Sequence, residues 1–198
     1  MLDINKFPVV IISNYRTGSS ALLWHIKEKY DLIRFNEPHY TEANLVYLKE
    51  TIRGKNNRYA VKFIADQIGD YDVYKQLLLR PGYKIKLTRN NKVDQITSYY
   101  IAHMTNRWRN YPYDQNPNLL DYEVPISEEG ISFSINAITN ADNILESLQI
   151  NFDQVLTYEE LGYLENDGNF TLTVQPRNFE EIRTEIEKRY KNSQTVST

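Results

Sequence analysis

Through the first half of the chain, short continuous apolar runs alternate with longer stretches that carry apolar residues on one face only. Phe7 to Ser13 (FPVVIIS) is a β-branched run of the kind that forms a buried parallel strand. Asn14 to Ser19 forms a turn, and from Ser20 the pattern ALLWHIKEKY turns helical, with Leu22 and Ile26 on one face. Leu32 to Phe35 is a short second strand, and Thr41 to Thr51 a helix. Tyr59 to Ile64 (YAVKFI) is a third strand, with a helix near Tyr71 to Leu79 and a turn at RPGY. Lys84 to Leu87 is the fourth strand, and Val93 to Met104 the helix behind it. This order predicts an α/β, P-loop-like three-layer fold, a central parallel sheet flanked by helices.

From Thr105 to Gly130 the rhythm breaks. This stretch is rich in turn formers and aromatics, and reads either as a lid or binding loop or as a surface excursion packed by its own tyrosines. Ile131, Ile135, Ile138, Leu145 and Leu148 then mark an amphipathic helix, Asp153 to Leu156 a last strand, and Phe179 to Tyr190 a charged helix. Residues 1–190 are expected to form a single domain, and 191–198 (KNSQTVST) a disordered tail.

Composition narrows the chemistry. At 198 residues, 41% of them apolar, the chain has the makings of one globular domain. A net charge of −3 disfavours broad binding to nucleic acid, so any anion site must be built from local groups. With no cysteine there are no disulfides and no thiolate metal sites. No segment has the length of a membrane span or the layout of a signal peptide, so a cytoplasmic protein without membrane partners is expected. Oligomeric state is not legible. The sixteen tyrosines suit amphipathic packing or an aromatic acceptor surface.

Three constellations carry candidate chemistry. In the first, a buried strand leads through NYRTGSS into a helix. Gly18 allows close backbone approach, the helix start offers free N–H groups, Ser19 and Ser20 add hydroxyls, and Arg16 adds a permanent charge. The same turn also serves as a plain strand–helix joint. It lacks the lysine of a nucleoside-triphosphatase loop. In the second, KIKLTRNNKVDQITSYY places Arg89 at a strand end with Thr97 and Ser98 on the next helix. These grip an anion at the carboxyl edge of the sheet, or Arg89 makes a surface ion pair. In the third, FNEPHY puts Glu37 in a loop at that edge, either as a proton acceptor or as a helix cap. His39 is the rival base. His25 and His103 read as packing or solvent-facing. No ligand constellation for a metal is present.

Together these segments resemble the PAPS-dependent sulfotransferase superfamily (PAPS is 3′-phosphoadenosine 5′-phosphosulfate), closest in pattern to its bacterial carbohydrate-type members. YRTGSS matches the R/K-[ST]-G-[ST]-[ST] loop, TRNNKVDQITSYY the arginine-to-serine segment, NEPH the acidic loop, AVKFI the lysine-bearing strand and VLTYEEL a Y-E-[DE]-L segment. The resemblance runs from about residue 7 to 162. It implies PAPS as donor, with adenosine 3′,5′-bisphosphate as product, and transfer of a sulfuryl group to an acceptor hydroxyl, carbohydrate or other small molecule. Arg16, Thr17, Gly18, Ser19, Ser20 and Ala21 would hold the 5′-phosphosulfate. Arg89 with Ser98 or Thr97 would hold the 3′-phosphate, with Arg177 as a second contact. Glu37 would be the base, and Arg16 and Lys62 would stabilise charge on the transferring group. Lys62 reads equally as a structural counter-ion. The family's arginine precedes its serine by eight residues, which here falls on Thr97. The alternatives are a P-loop kinase-like phosphotransferase and a non-catalytic nucleotide-binding module.

Overall fold

A computed structural model of the protein describes residues 3–54, 56–106, 108, 122–167 and 175–195. The strands are β1 (Val9–Ser13), β2 (Ile33–Asn36), β3 (Tyr59–Ile64), β4 (Tyr83–Thr88) and β5 (Gln154–Thr157). The helices are α1 (Ser19–Tyr30), α2 (Glu42–Arg53), α3 (Asp72–Leu79), α4 (Lys92–Thr105), α5 (Glu128–Ser147) and α6 (Phe179–Thr195). Short 3₁₀ segments follow β2 (Pro38–Tyr40), β3 (Ala65–Ile68) and β5 (Tyr158–Asp167). Each strand expected from the sequence is present, with ends shifted by one or two residues. Helix α6 continues through Thr195, so residues 191–195 of the expected tail are helical. Residues 107 and 109–121 of the expected irregular stretch lie outside the described residues, and Glu128–Gly130 already belong to α5.

The strands form one fully parallel sheet in the order β2-β3-β1-β4-β5. β1 lies at its centre and is buried on both faces, the reason for its unbroken apolar run. Alternate residues divide between two cores. Val9 and Ile11 pack with Ala60, Ile85 and Leu87 against Leu22, Leu23 and Ile26 of α1. Val10 and Ile12 pack with Phe35, Val61 and Phe63 against Leu48 and Ile52 of α2, Tyr74 and Leu77 of α3 and Leu145 of α5. The result is a three-layer α/β arrangement of helix, sheet and helix.

Handedness fixes where the open edge lies. The crossover from β1 runs toward the β2 edge and carries α1 on one face. The crossovers through α2 and α3 run toward the β5 edge and carry those helices on the other face, with Leu145 of α5. Right-handed connections require that a change of direction change the face. The chain thus leaves the carboxyl ends of neighbouring β1 and β4 in opposite directions, which opens the crevice where ligands of open α/β sheets bind.

By its contacts the chain divides into two compact units. The sheet unit is Met1–Asn90 with Ala141–Leu164, and the second is Asn91–Asn140 with Glu165–Thr198. In the second unit α6 packs on α4, with Arg183 Nε bonded to Asp94 at 2.8 Å. Arg189 bonds Glu128 at 2.6 Å. Asn178 ties its side-chain amide to both backbone groups of Val124, at 2.8 and 3.1 Å. Among the described residues no helix is long and apolar enough to cross a membrane.

The turn into β4 gives a direct test of how tightly the sheet is closed. Tyr83 N donates to Pro8 O at 2.8 Å, and a Cβ on Gly82 would lie 2.6 Å from that same oxygen. Gly82→Ala is expected to cost about 1–3 kcal/mol through overpacking, measured as a lower urea midpoint with an unchanged slope.

Candidate active site

The loop after β1 is shaped by its own side chains. Thr17 is buried, and its hydroxyl donates to Asn14 O at 3.0 Å. Asn14 Oδ1 accepts from Tyr15 N, and Asn14 Nδ2 donates to Asp142 at 2.7 Å. Arg16 and Gly18 both have left-handed backbones, at φ 54° and 72°. Gly18 carries that conformation without a steric penalty and leaves room for Tyr158, whose Cδ2 would stand 3.0 Å from a Cβ there. Helix α1 then begins with no side-chain cap and no acidic residue in its first turn. The first N–H groups of such a helix and the positive end of its dipole are suited to an anion.

Two arginines meet at this point. Arg89, one residue beyond β4, donates from Nη1 to Arg16 O at 3.3 Å and lies over the Tyr158 ring at 4.4 Å. Its Nε is buried and has no hydrogen-bond partner among the described residues. Burial lowers the proton affinity of Arg16, the charge of Arg89 lowers it further, and Tyr158 acts in the opposite sense. Like charges gathered in a crevice, one with a buried unpaired N–H, are what a bound anion would relieve. Glu159 accepts from Asn90 N at 3.2 Å, which holds the chain just beyond Arg89 to the segment after β5.

A second cluster lies at the carboxyl ends of β2 and β3. Glu37 continues the β2–β3 ladder through a 2.8 Å bond from its N–H to Lys62 O. It then takes up a left-handed backbone at φ 46°, a strained state for a side chain of this size. Glu37 and Lys62 are both buried, and Lys62 Nζ donates to Glu37 Oε1. Gln67 Nε2 donates to Glu37 Oε2 at 3.2 Å, and Gln67 Oε1 accepts from Ile64 N at 2.9 Å. Burial by itself would raise the Glu37 pKa. The Lys62 charge, with hydrogen bonds from Lys62, Gln67 and Tyr40, outweighs burial and holds the carboxyl below the usual range.

This pairing bears on the expectation that Glu37 takes a proton from an acceptor hydroxyl. Both oxygens are engaged and its basicity is lowered, which suits a counter-ion for Lys62. His39, the rival base, bonds the Tyr74 hydroxyl through Nδ1 at 2.7 Å and lies between the Tyr40 and Tyr71 rings, at 4.4 and 4.9 Å. Burial lowers its pKa, as does Lys62, against the pull of Glu37, Asp66 and Asp70, so the ring is neutral at neutral pH.

The other expected residues divide. Ser19 is buried, and the exposed Ser20 hydroxyl is 3.5 Å from Asn36 Oδ1. Ala21 lies in the first turn of α1. Thr97 is fully buried and donates to Val93 O at 2.8 Å, an i−4 bond within α4, whereas Ser98 is half-buried. The structure gives Arg177 to an ion pair with Glu123 at 3.3 Å, both side chains more than half exposed. An exposed pair of this kind contributes little to stability.

Three side chains at the site carry roles that the motifs did not signal. Tyr158 is the platform beneath Arg89, and Gln67 holds Glu37. Tyr15 reaches across to Asp66, its hydroxyl donating to Oδ2 at 2.7 Å. Asp66 had a signal: it follows the apolar strand YAVKFI by two residues. Among the described residues no group of three or more His, Cys, Asp or Glu side chains is placed to hold a metal ion. No protein-family model matches the chain, and no curated protein matches it closely enough to count as a relative.

Breaking the Glu37–Lys62 pair tests its weight. Glu37→Gln leaves a buried amine without its counter-charge and is expected to cost about 3–5 kcal/mol of stability. The folded-state pKa of Glu37 is lowered, so its pairing stabilises the fold above the unfolded carboxyl pKa. That stability is lost as pH falls through the folded value, below the ordinary carboxylate range. Denaturation at stepped pH is expected to show this acid-side loss in the wild type and not in Glu37→Gln.

Proposed function

We propose that this protein is a sulfotransferase that takes PAPS as donor and passes its sulfuryl group to a hydroxyl of a carbohydrate or other small molecule. The observation that carries the reading is the meeting of Arg16 and Arg89 at the uncapped start of α1, with Arg89 Nε buried and unpaired. A donor with two separate anionic groups suits two arginines from two strand ends. Arg16 and the first-turn N–H groups from Ser19 to Ala21 would hold the 5′-phosphosulfate, with Thr17 and Gly18 shaping the loop. Arg89 would pair with the 3′-phosphate.

PAPS would supply a sulfuryl group on a phosphosulfate anhydride, ready for in-line displacement by an oxygen nucleophile. The protein's part is positioning and charge. Arg16 stabilises the negative charge that grows on the leaving phosphate oxygen, in a buried setting where such contacts count for more than in water. Lys62, held in place by Glu37, supports the charge spread over the transferring group.

One observation favours a second reading, a phosphotransferase. Asp66 stands just past β3, next to the central strand, where a metal-binding aspartate of a nucleoside-triphosphatase can lie. The loop before α1 has no lysine, and Asp66 is already engaged by Tyr15, which leaves this reading behind the first.

Nucleotide choice separates the two. Titration calorimetry is expected to show adenosine 3′,5′-bisphosphate binding about 10-fold or more tighter than ADP, because a charge-assisted arginine–phosphate contact is worth about 1.5–3 kcal/mol. Arg89→Ala should erase that preference. Equal binding of the bisphosphate, ADP and ATP, or tighter binding of Mg·ATP that a chelator removes, would sink the sulfotransferase reading.

A further inference from the structure

Transfer to a hydroxyl needs a group that accepts its proton, and Glu37 is poorly suited, with Lys62 on one oxygen and Gln67 on the other. The same sheet edge holds a second carboxyl in a different condition. Asp66 lies in the 3₁₀ segment after β3, the strand beside β1. Its Oδ2 accepts from Tyr15, the residue preceding Arg16 in the loop at the start of α1. Its Oδ1 is buried and has no hydrogen-bond partner among the described residues. A buried carboxyl oxygen without a donor is costly, and is explained when a bound molecule brings the donor.

We propose that Asp66, and not Glu37, is the general base of the transfer, an inference that rests on the sulfotransferase reading. Its Oδ1 takes the proton as the acceptor O–H bond breaks. The acceptor oxygen forms a bond to sulfur, and the bond between sulfur and the bridging phosphate oxygen breaks. Its electron pair leaves with adenosine 3′,5′-bisphosphate, whose new charge Arg16 meets. Tyr15 keeps the carboxyl oriented by bonding the other oxygen, and Glu37 holds Lys62.

The surroundings of Asp66 fit this role. Burial pushes its pKa up. The Tyr15 hydroxyl and its own backbone amide pull it down by less, and the negative charges of Asp70 and Glu37 add to the rise. His39 also lies within electrostatic range and is neutral at neutral pH. A carboxyl raised toward neutrality is a stronger base than an ordinary one. The two candidates therefore stand on opposite sides of the usual carboxylate pKa, Asp66 above it and Glu37 below.

The test uses the full chain with labelled PAPS and three acceptors: N-acetylglucosamine, 4-nitrophenol and water. Binding of adenosine 3′,5′-bisphosphate is measured in each variant as well. Asp66→Asn is expected to lower kcat about 10²-fold or more with bisphosphate affinity unchanged, and Asp66→Glu to recover part of the loss. In the wild type kcat should fall as pH falls through a pKa above the ordinary carboxylate value. Tyr15→Phe, which removes the donor to Oδ2, should move that limb to higher pH. A limb below the ordinary carboxylate value, or full activity in Asp66→Asn, overturns Asp66 as base while bisphosphate binding leaves the sulfotransferase reading in place. If Asp66→Asn fails to fold, an unmoved limb in Tyr15→Phe overturns the assignment instead. Binding with no turnover on any of the three acceptors counts against Asp66 as well. Loss of specific bisphosphate binding in the wild type sinks the reading and the inference together.

Discussion

Right-handed crossovers in a parallel sheet are the constraint on which the rest of this molecule depends. Because α1 runs to one edge and α2 and α3 to the other, β1 and β4 end beside each other with their chains departing in opposite directions. The two arginines follow those two strands directly. Neither Arg16 nor Arg89 needs a long or specialised loop to reach the crevice, since the topology delivers both. The apolar alternation of β1, odd residues toward α1 and even residues toward α2 and α3, holds this geometry by burying both faces.

The site pays for its electrostatics through placement. The chain as a whole is slightly acidic, yet the Arg89 guanidinium bonds the backbone of Arg16 beside an uncapped helix start, and its charge is felt by the Arg16 side chain. Tyr158 shields the Arg89 guanidinium with its ring, and the loop carbonyl of Arg16 accepts from it, so the repulsion is tolerated without an acidic partner for Arg89 among its described hydrogen bonds. On the other side of β1, Lys62 of β3 and Glu37 solve the opposite problem. Each buried charge satisfies the other, and Gln67 closes the remaining oxygen. The Glu37–Lys62 cluster is balanced within itself, as a structural ion pair is.

Much of this was legible in the chain. The strands were visible because parallel strands buried on both faces are continuous apolar runs, and the helices because one-sided burial imprints a 3.6-residue period. The ends of α2 and α4 were also written locally, as Thr41 and Asn91 cap them by accepting from Asn44 N and Asp94 N. The glycine turn before α1 was legible for the same reason: its demand is on backbone conformation, which depends on residue type alone. The C-terminal limit of α6 was misplaced, because a polar, charged surface helix and a polar tail look alike in composition.

What the sequence determined by itself, then, was the α/β class, the parallel sheet, the loop that starts α1 and the presence of arginine, lysine and glutamate at strand ends. These are consequences of local propensity and periodicity, and each requires only near neighbours. The tertiary structure decided which of those groups are engaged. It locked Glu37 onto Lys62, turned the Thr97 hydroxyl back on its helix, gave Arg177 to Glu123 and left an oxygen of Asp66 and a nitrogen of Arg89 without hydrogen-bond partners among the described residues. Charge pairing and burial fall off over a few ångströms in space, while residues such as Glu37 and Lys62, or Tyr15 and Asp66, stand far apart along the chain. The basicity of a carboxyl therefore appears only once the fold has chosen its neighbours.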